Sequence, residues 1–249
     1  LMMTVISAVE QITAQWLSQV LGQPVSHVQM EANAAFNSIA AHLTIAYATD
    51  SDLPENLFIK LKHNGDGEIE IRCYEALKGL DLQGVIPAYF AAYDSDTGNS
   101  TLILQDVSKT HYPPISREAL LSLNGVPDMR HMHIIIDTLA QWHRHWWEKD
   151  TFETIPYFAS KEGFKARVEK YHADWEAFLA KGYGIPDEWH QTYVEALEVI
   201  PHIYEKYFAE RFRNRHNVTV IHGDCYLTQF LVNDEAAYIA DFDSVGLSV

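Results

Sequence analysis

Three side chains late in the sequence have the types and spacing that a phosphate-handling site needs. Asp224 follows an apolar segment in VIHGD, Gln229 lies five residues further on as the next apolar run begins, and Asp241 ends the returning run AAYIAD. The runs QFLV and AAYIAD flank an Asn-Asp turn and read as a hairpin, which sets residues near its two ends side by side. Two carboxylates and an amide carbonyl are hard oxygen donors of the kind Mg²⁺ prefers. Phosphoryl transfer asks for little else: a carboxylate to orient and deprotonate a hydroxyl, oxygen ligands for the metal, and a cation on the phosphate oxygens. Asp224 taken alone would more often be a turn or cap residue. The ordered set is what carries the chemical reading.

The elements that must position these groups fall into two stretches. Residues 7–21 carry apolar residues at helical spacing, stopped by Gly22 and Pro24. Strand-like segments follow at 26–31, 42–48 and 57–62, then a helix over 68–80, then strands in IPAYFAAYD and over 100–107. LFIKLK places Lys60 in the middle of an apolar strand, with Lys62 as a neighbouring rival, and an unpaired ammonium there would be costly. Beyond residue 108 the pattern turns helical, over 129–150, 161–182 and 186 to about 212, with Pro201 breaking or kinking the last. The helix at 129–150 is expected to bury Ile136, Leu139, Ala140, His143 and Trp147. The end reverts to strands, so the fold class is α+β, with a boundary near residues 105–110.

Bulk properties narrow the function classes. With 18 Lys+Arg against 34 Asp+Glu, the formal net charge of −16 argues against nucleic acid, which needs a basic face. No apolar run approaches the ~18 residues of a membrane span, so no membrane partner is expected. No basic segment precedes an apolar stretch at the N-terminus, so no secretory signal is read and a cytoplasmic location is expected. Cys73 and Cys225 lie far apart in no metal-ligand spacing, and no disulfide is expected. His131/His133 and His143/His145 are spaced two apart on helices and point to nearly opposite faces, so neither pair chelates one ion.

His-Gly-Asp, an amide residue five positions after the Asp, and then Ile-Ala-Asp-Phe-Asp resembles the signature of the aminoglycoside phosphotransferase and choline kinase family. TLAQWHRHWW resembles a helix of the branches near the ecdysteroid-kinase-like proteins. The resemblance implies a two-lobed protein-kinase-like fold. Residues 1–106 would form an N-lobe with a five-stranded antiparallel sheet and one helix, and 107–249 a mainly helical C-lobe. It implies ATP and Mg²⁺ as cofactors and a hydroxylated small molecule (aminoglycoside, choline-like amine, sugar or steroid) as acceptor. Asp224 is then the catalytic base, Gln229 and Asp241 the metal ligands, and His222 a support for the loop. Lys60 binds α/β-phosphate oxygens and is held by Glu70, whose EIRCY matches the family's Glu-x-x-x-Tyr; Glu68 and Glu75 are lesser partners. LILQDV resembles the inter-lobe hinge, so the backbone at Gln105 and Asp106 would hold adenine. The hairpin over the phosphates would be AAFNSIAA, with Asn37 and Ser38 at its tip.

The sequence departs from the family in three places. Gln229 stands where the family has Asn, which moves the carbonyl by about an ångström. No glycine occurs between Gly22 and Gly65, where a Gly-rich loop would lie. The sequence stops eight residues after Asp241, where family members continue through further helices, as a fragment or an unusually short C-lobe would. These departures motivate a second reading, a kinase-fold nucleotide-binding or regulatory protein with little or no activity. A histidine-rich metal binder is a third and remoter one.

Overall fold

A computed structural model of the protein describes residues 5–34, 38–122, 125, 127–149, 161–182 and 184–248. Strands β1 (Val25–Ala34), β2 (Ile39–Tyr47), β3 (Asn56–Lys62), β4 (Ala88–Asp94) and β5 (Asn99–Gln105) form one antiparallel sheet in the order β1-β2-β3-β5-β4. Alternation along β3 decides what each face does. Leu57, Ile59 and Leu61 enter the core with Leu43, Ile45 and Ile103, while Phe58, Lys60 and Lys62 take the opposite face. Helix α1 (Ala14–Leu21) closes the core side with Trp16 and Leu17.

Helix α1 begins later than the apolar spacing from residue 7 suggested. The Gln11 side chain accepts hydrogen bonds from the backbone N–H groups of Ser7 and Ala8, closing a separate 3₁₀ turn. Thr13 then caps α1 by accepting from Trp16 N–H, and Gly22 ends it in the left-handed region at φ 67°.

Helices α2 (Glu68–Leu77), α3 (Arg117–Leu121) and α4 (Met129–Trp146) follow. The expected buried stripe of α4 is displaced by about one residue. Ile136 and Trp147 are 56% and 47% exposed, and Ile135, Thr138, Trp142 and Trp146 are buried instead. Apolar residues occupy adjacent positions at both ends of this segment (Ile134 to Ile136, Trp146 and Trp147), so the helical period alone fits two registers. Burying Thr138 settles the choice, because its hydroxyl donates to Ile134 C=O at 2.8 Å and enters the core satisfied.

By packing, the chain divides into two units, Leu1–His145 with His222–Val245, and Trp146–Ile221 with Gly246–Val249. The first holds the sheet, α2 and the hairpin of β7 (Phe230–Val232) and β8 (Ala237–Ile239). Two tethers fix that hairpin: Ile239 N–H donates to Gly84 C=O at 2.8 Å, and Tyr112 and Val232 exchange backbone bonds of 2.9 and 2.8 Å. Phe242, just beyond the hairpin, stacks on Trp142 at 4.9 Å and meets Tyr74 of α2 edge-on at 5.6 Å.

The second unit packs α5 (Lys161–Ala180) against α6 (Asp187–Ile203), with Trp175 stacked on Tyr193 at 4.1 Å. The helical pattern over 186–212 is interrupted as the proline predicted. Pro201 lies in the last turn of α6, a π turn follows at Tyr204–Phe208, and α7 (Ala209–Asn214) resumes. Strands β6 (Thr219–Ile221) and β9 (Gly246–Ser248) pair antiparallel. Among the described residues, no helix is long and apolar enough to cross a membrane.

Candidate active site

The site starts at β3. Lys60 and Lys62 share the face turned from the core, and α2 begins directly above them. Gly67 permits that approach, since a Cβ there would lie 1.9 Å from Ser100 Oγ and 3.2 Å from Lys62 Cβ. The first turn of α2 therefore delivers Glu70, 3% exposed, onto the lysines. Lys60 Nζ lies 2.8 Å from Glu70 Oε2 and donates to Asp241 Oδ1 at 2.5 Å. Lys62, also buried, pairs directly with Asp243 and sits 3.8 Å from Glu70. Glu68 turns away to Arg72. Two ammonium groups thus meet three carboxylates where the sequence suggested one pair and a rival lysine.

Segment 222–243 brings the acidic partners. His222, 1% exposed, donates from Nε2 to Ala240 C=O at 2.8 Å and ties the start of the segment to its end. Gly223 adopts φ 82°, and a Cβ on it would sit 1.9 Å from Ser244 O. Gly223→Ala is expected to destabilise the protein by about 1–3 kcal/mol in chemical denaturation, since strain adds to the clash. A variant as stable as wild type would contradict this close approach. Asp241 is itself left-handed, at φ 63° and ψ 63°, which an Asp tolerates better than most residues. Gln229 stands between the carboxylates, its Nε2 3.3 Å from Asp241 Oδ2 and, at longer range, 3.5 Å from Asp224 Oδ2.

A cavity of about 500 Å³ opens against this cluster. Lys60, Lys62, Glu70, Asp241 and Asp243 line it, together with the apolar Phe58, Ile86, Leu104, Val107 and Leu231. Ser38, Gln105 and Asp106 reach its wall, whereas Asp224 and Gln229 do not. Asn37 lies outside the described residues. The backbone N–H groups of Gln105 and Asp106 are already engaged, by Pro87 C=O at 2.9 Å and Asn56 C=O at 3.1 Å. The Asp106 side chain accepts from Ser108 N–H at 2.9 Å and bonds His42 Nδ1 at 2.7 Å.

A profile of the ecdysteroid kinase-like family matches residues 74–245, more than half of the chain. The chain belongs to the ecdysteroid kinase-like family. Its fold is that of the kinase-like phosphotransferases. A GDP complex of an aminoglycoside 2'-phosphotransferase-IIIa mutant superposes with a TM-score of 0.56 at 13% identity, covering 93% of this chain and 70% of the other. A choline kinase from Cryptosporidium parvum Iowa II gives 0.51 at 10% identity, with 90% of this chain and 60% of the other covered. A thermostable aminoglycoside phosphotransferase APH(4)-Ia mutant, in ternary complex with ADP and hygromycin B, gives 0.53 at 10% identity, with 95% and 72% covered. The chain therefore spans less than two thirds of that choline kinase. No curated protein matches the sequence.

For a member of this family the electrostatics of the cluster are uneven. Burial works against the Asp241 carboxylate, but Lys60, with Asp243 and Lys62, holds it down at about 2. Burial also opposes the Lys60 charge, yet Glu70, Asp243 and Asp241 raise its pKa above that of an ordinary lysine. Burial and the neighbouring Glu70 and Asp241 push Asp243 the other way, up to about 7, against the pull of Lys60 and Lys62. An unfolded Asp titrates near ~3.9. The folded state thus keeps the Asp243 proton where the unfolded chain has lost it. The contribution of this group to stability is complete below about pH 4 and declines as pH rises through about 7. In the absence of nucleotide, wild type should lose melting temperature between about pH 5 and pH 8, and Asp243→Asn should flatten that slope. Equal slopes in both proteins would exclude Asp243 as the source.

Glu70, Asp241 and Asp243 present oxygen atoms within 4.8 Å of one another, and among the described residues they form the one such acidic group. Hard oxygen donors at this density fit Mg²⁺. From the sequence Lys62 stood as a rival to Lys60, whereas the fold gathers both into one cluster. The period-2 alternation of LFIKLK already put both lysines on one face. The pairing of His42 with Asp106 had no local signal, because the two are 64 residues apart.

Proposed function

We propose that this protein is an ATP-dependent phosphotransferase that moves the γ-phosphate to a hydroxyl of a small molecule. One observation carries the reading: Lys60 Nζ touches Glu70 and Asp241 together in the wall of a cavity that Phe58, Leu104 and Val107 also line. That mixed lining suits a nucleotide, with its base among Phe58, Leu104 and Val107 and its phosphates toward Lys60. Asp241 and Gln229, with Asp243 and Glu70 close by, would hold Mg²⁺, which when bound neutralises charge on the phosphates. Asp224 then accepts the proton of the substrate hydroxyl as its oxygen bonds to the γ-phosphorus. The bond from that phosphorus to the β–γ bridging oxygen breaks, and the nucleoside diphosphate leaves. Gln229 and His222 position the two acidic groups. The proposed lobes are 1–106 and 107–249, joined at Gln105–Asp106, and the proposed compartment is the cytoplasm. Aminoglycosides, choline-like amines, sugars and steroids are the acceptor classes to screen.

The test is a thermal-shift titration with ATP, with and without MgCl₂, followed by phosphotransfer assays on that acceptor panel. Stabilisation that requires Mg²⁺ is expected, and its absence with every nucleotide would refute the assignment. One structural feature favours the second reading, nucleotide binding without turnover. Gln229 turns its amide nitrogen toward both carboxylates, and a half-turn of the amide is needed to offer the carbonyl oxygen to a cation. Gln229→Asn raising turnover sharply would trace the defect to this side chain. Among the neighbours one complex holds GDP and another ADP, so the fold alone leaves the base open.

A further inference from the structure

We propose that His42, held in one tautomer by Asp106, reads the base of the bound nucleotide and favours adenine over guanine. The inference rests on the reading of the 500 Å³ cavity as the nucleotide site. His42 lies on β2 opposite Phe58, two residues along β3 from Lys60, which is about 7 Å. Its ring meets Phe58 at 5.2 Å, and both line the cavity.

The polar groups beside them are few, and most are committed. Asp106 Oδ1 accepts from Ser108 N–H at 2.9 Å, and Asp106 Oδ2 lies 2.7 Å from His42 Nδ1. Burial opposes the Asp106 charge, but the bonds from Ser108 and His42 keep its carboxyl below the usual range. An ionised carboxylate only accepts, so an imidazole proton sits on Nδ1, and in that tautomer Nε2 carries a lone pair. Among the described residues nothing donates to Nε2. Gln105 offers a donor and an acceptor on one amide and can serve either purine, whereas His42 Nε2 can only accept. Adenine presents an exocyclic N–H₂ donor where guanine presents a carbonyl acceptor. A guanine carbonyl facing that lone pair would leave two acceptors opposed, at a loss of about tenfold or more in affinity.

Asp106→Asn makes the idea sharp. Ser108 N–H still requires an acceptor at the Oδ1 position, which forces the new amide nitrogen to face His42 Nδ1. That nitrogen donates, the imidazole proton moves to Nε2, and the ring becomes a donor toward the base. The experiment is isothermal titration of Mg-ATP and Mg-GTP into wild type, His42→Ala and Asp106→Asn. Wild type is expected to favour ATP by about tenfold or more. His42→Ala should bring the ratio close to one, and Asp106→Asn should move it toward GTP. A packing role would weaken both nucleotides together and leave the ratio in place. Wild-type binding of ATP with an unmoved ratio in His42→Ala overturns the proposal and spares the nucleotide site. No binding of either nucleotide to wild type overturns both. Should Asp106→Asn fail to fold, the ratio in His42→Ala and His42→Gln decides.

Discussion

Asp224→Asn is expected to lower the phosphotransfer rate by about 100- to 10,000-fold, the range for losing a positioned general base. Asparagine keeps the size and the planar head of the side chain but cannot take the proton of the substrate hydroxyl. Nucleotide affinity should change little, because Asp224 is not part of the cavity wall. The result should therefore appear in kcat, with the melting-temperature shift produced by Mg-ATP retained. Unchanged turnover would remove Asp224 from the reaction. A loss of nucleotide binding would instead mean that Asp224 acts through Gln229, which lies 3.5 Å away, on the Asp241 carboxylate beyond it.

The second large effect is expected from Asp241→Ala. A ligand that binds only the folded state stabilises it by about 2.7 kcal/mol at one hundred times its dissociation constant. Wild type should gain a shift of that order from ATP only when Mg²⁺ is present, and Asp241→Ala should lose the Mg²⁺-dependent part. Without nucleotide the substitution should be mild. Asp241 is 36% exposed at its side chain, and Lys60 keeps Glu70 at 2.8 Å after the carboxylate is gone. A variant that retained the Mg²⁺-dependent shift would displace Asp241 from the metal site and point to Asp243 and Glu70.

What could be read from the sequence followed the range of the interactions concerned. The strands were legible because β-branched and apolar alternation is local, and the same alternation exposed Lys60. The partnership of Lys60 with Glu70 followed from family resemblance across a gap of ten residues. Local patterns failed where a side chain changed the backbone's options. Gln11 capped a turn inside an apparent helix, and Thr138 entered the core by bonding its own helix, which rotated α4 away from the stripe of its larger neighbours. Long-range pairing left no trace at all. Nothing near His42 announces Asp106, and nothing in LFIKLK shows that Lys62 meets Asp243 rather than solvent. The departure at Gln229 was visible as a letter, but its contact with both carboxylates required the folded hairpin.

The bond from Lys60 to Asp241 closes across 181 residues of chain. During synthesis at ~5–20 residues per second, the last residue of the sheet, Gln105, is made about 7–27 s before the carboxylates of 241 and 243 exist. For that interval Glu70 is the nearest acidic partner for two clustered ammonium groups, and the hairpin tethers at Gly84 and Tyr112 have nothing to hold. The nascent sheet therefore carries an incomplete, cationic face that is completed only as residues 222–245 arrive. Slow or stalled translation through the intervening helices prolongs the life of that face. Protection of β3 from the cell's proteases should consequently depend on how fast the last segment is made.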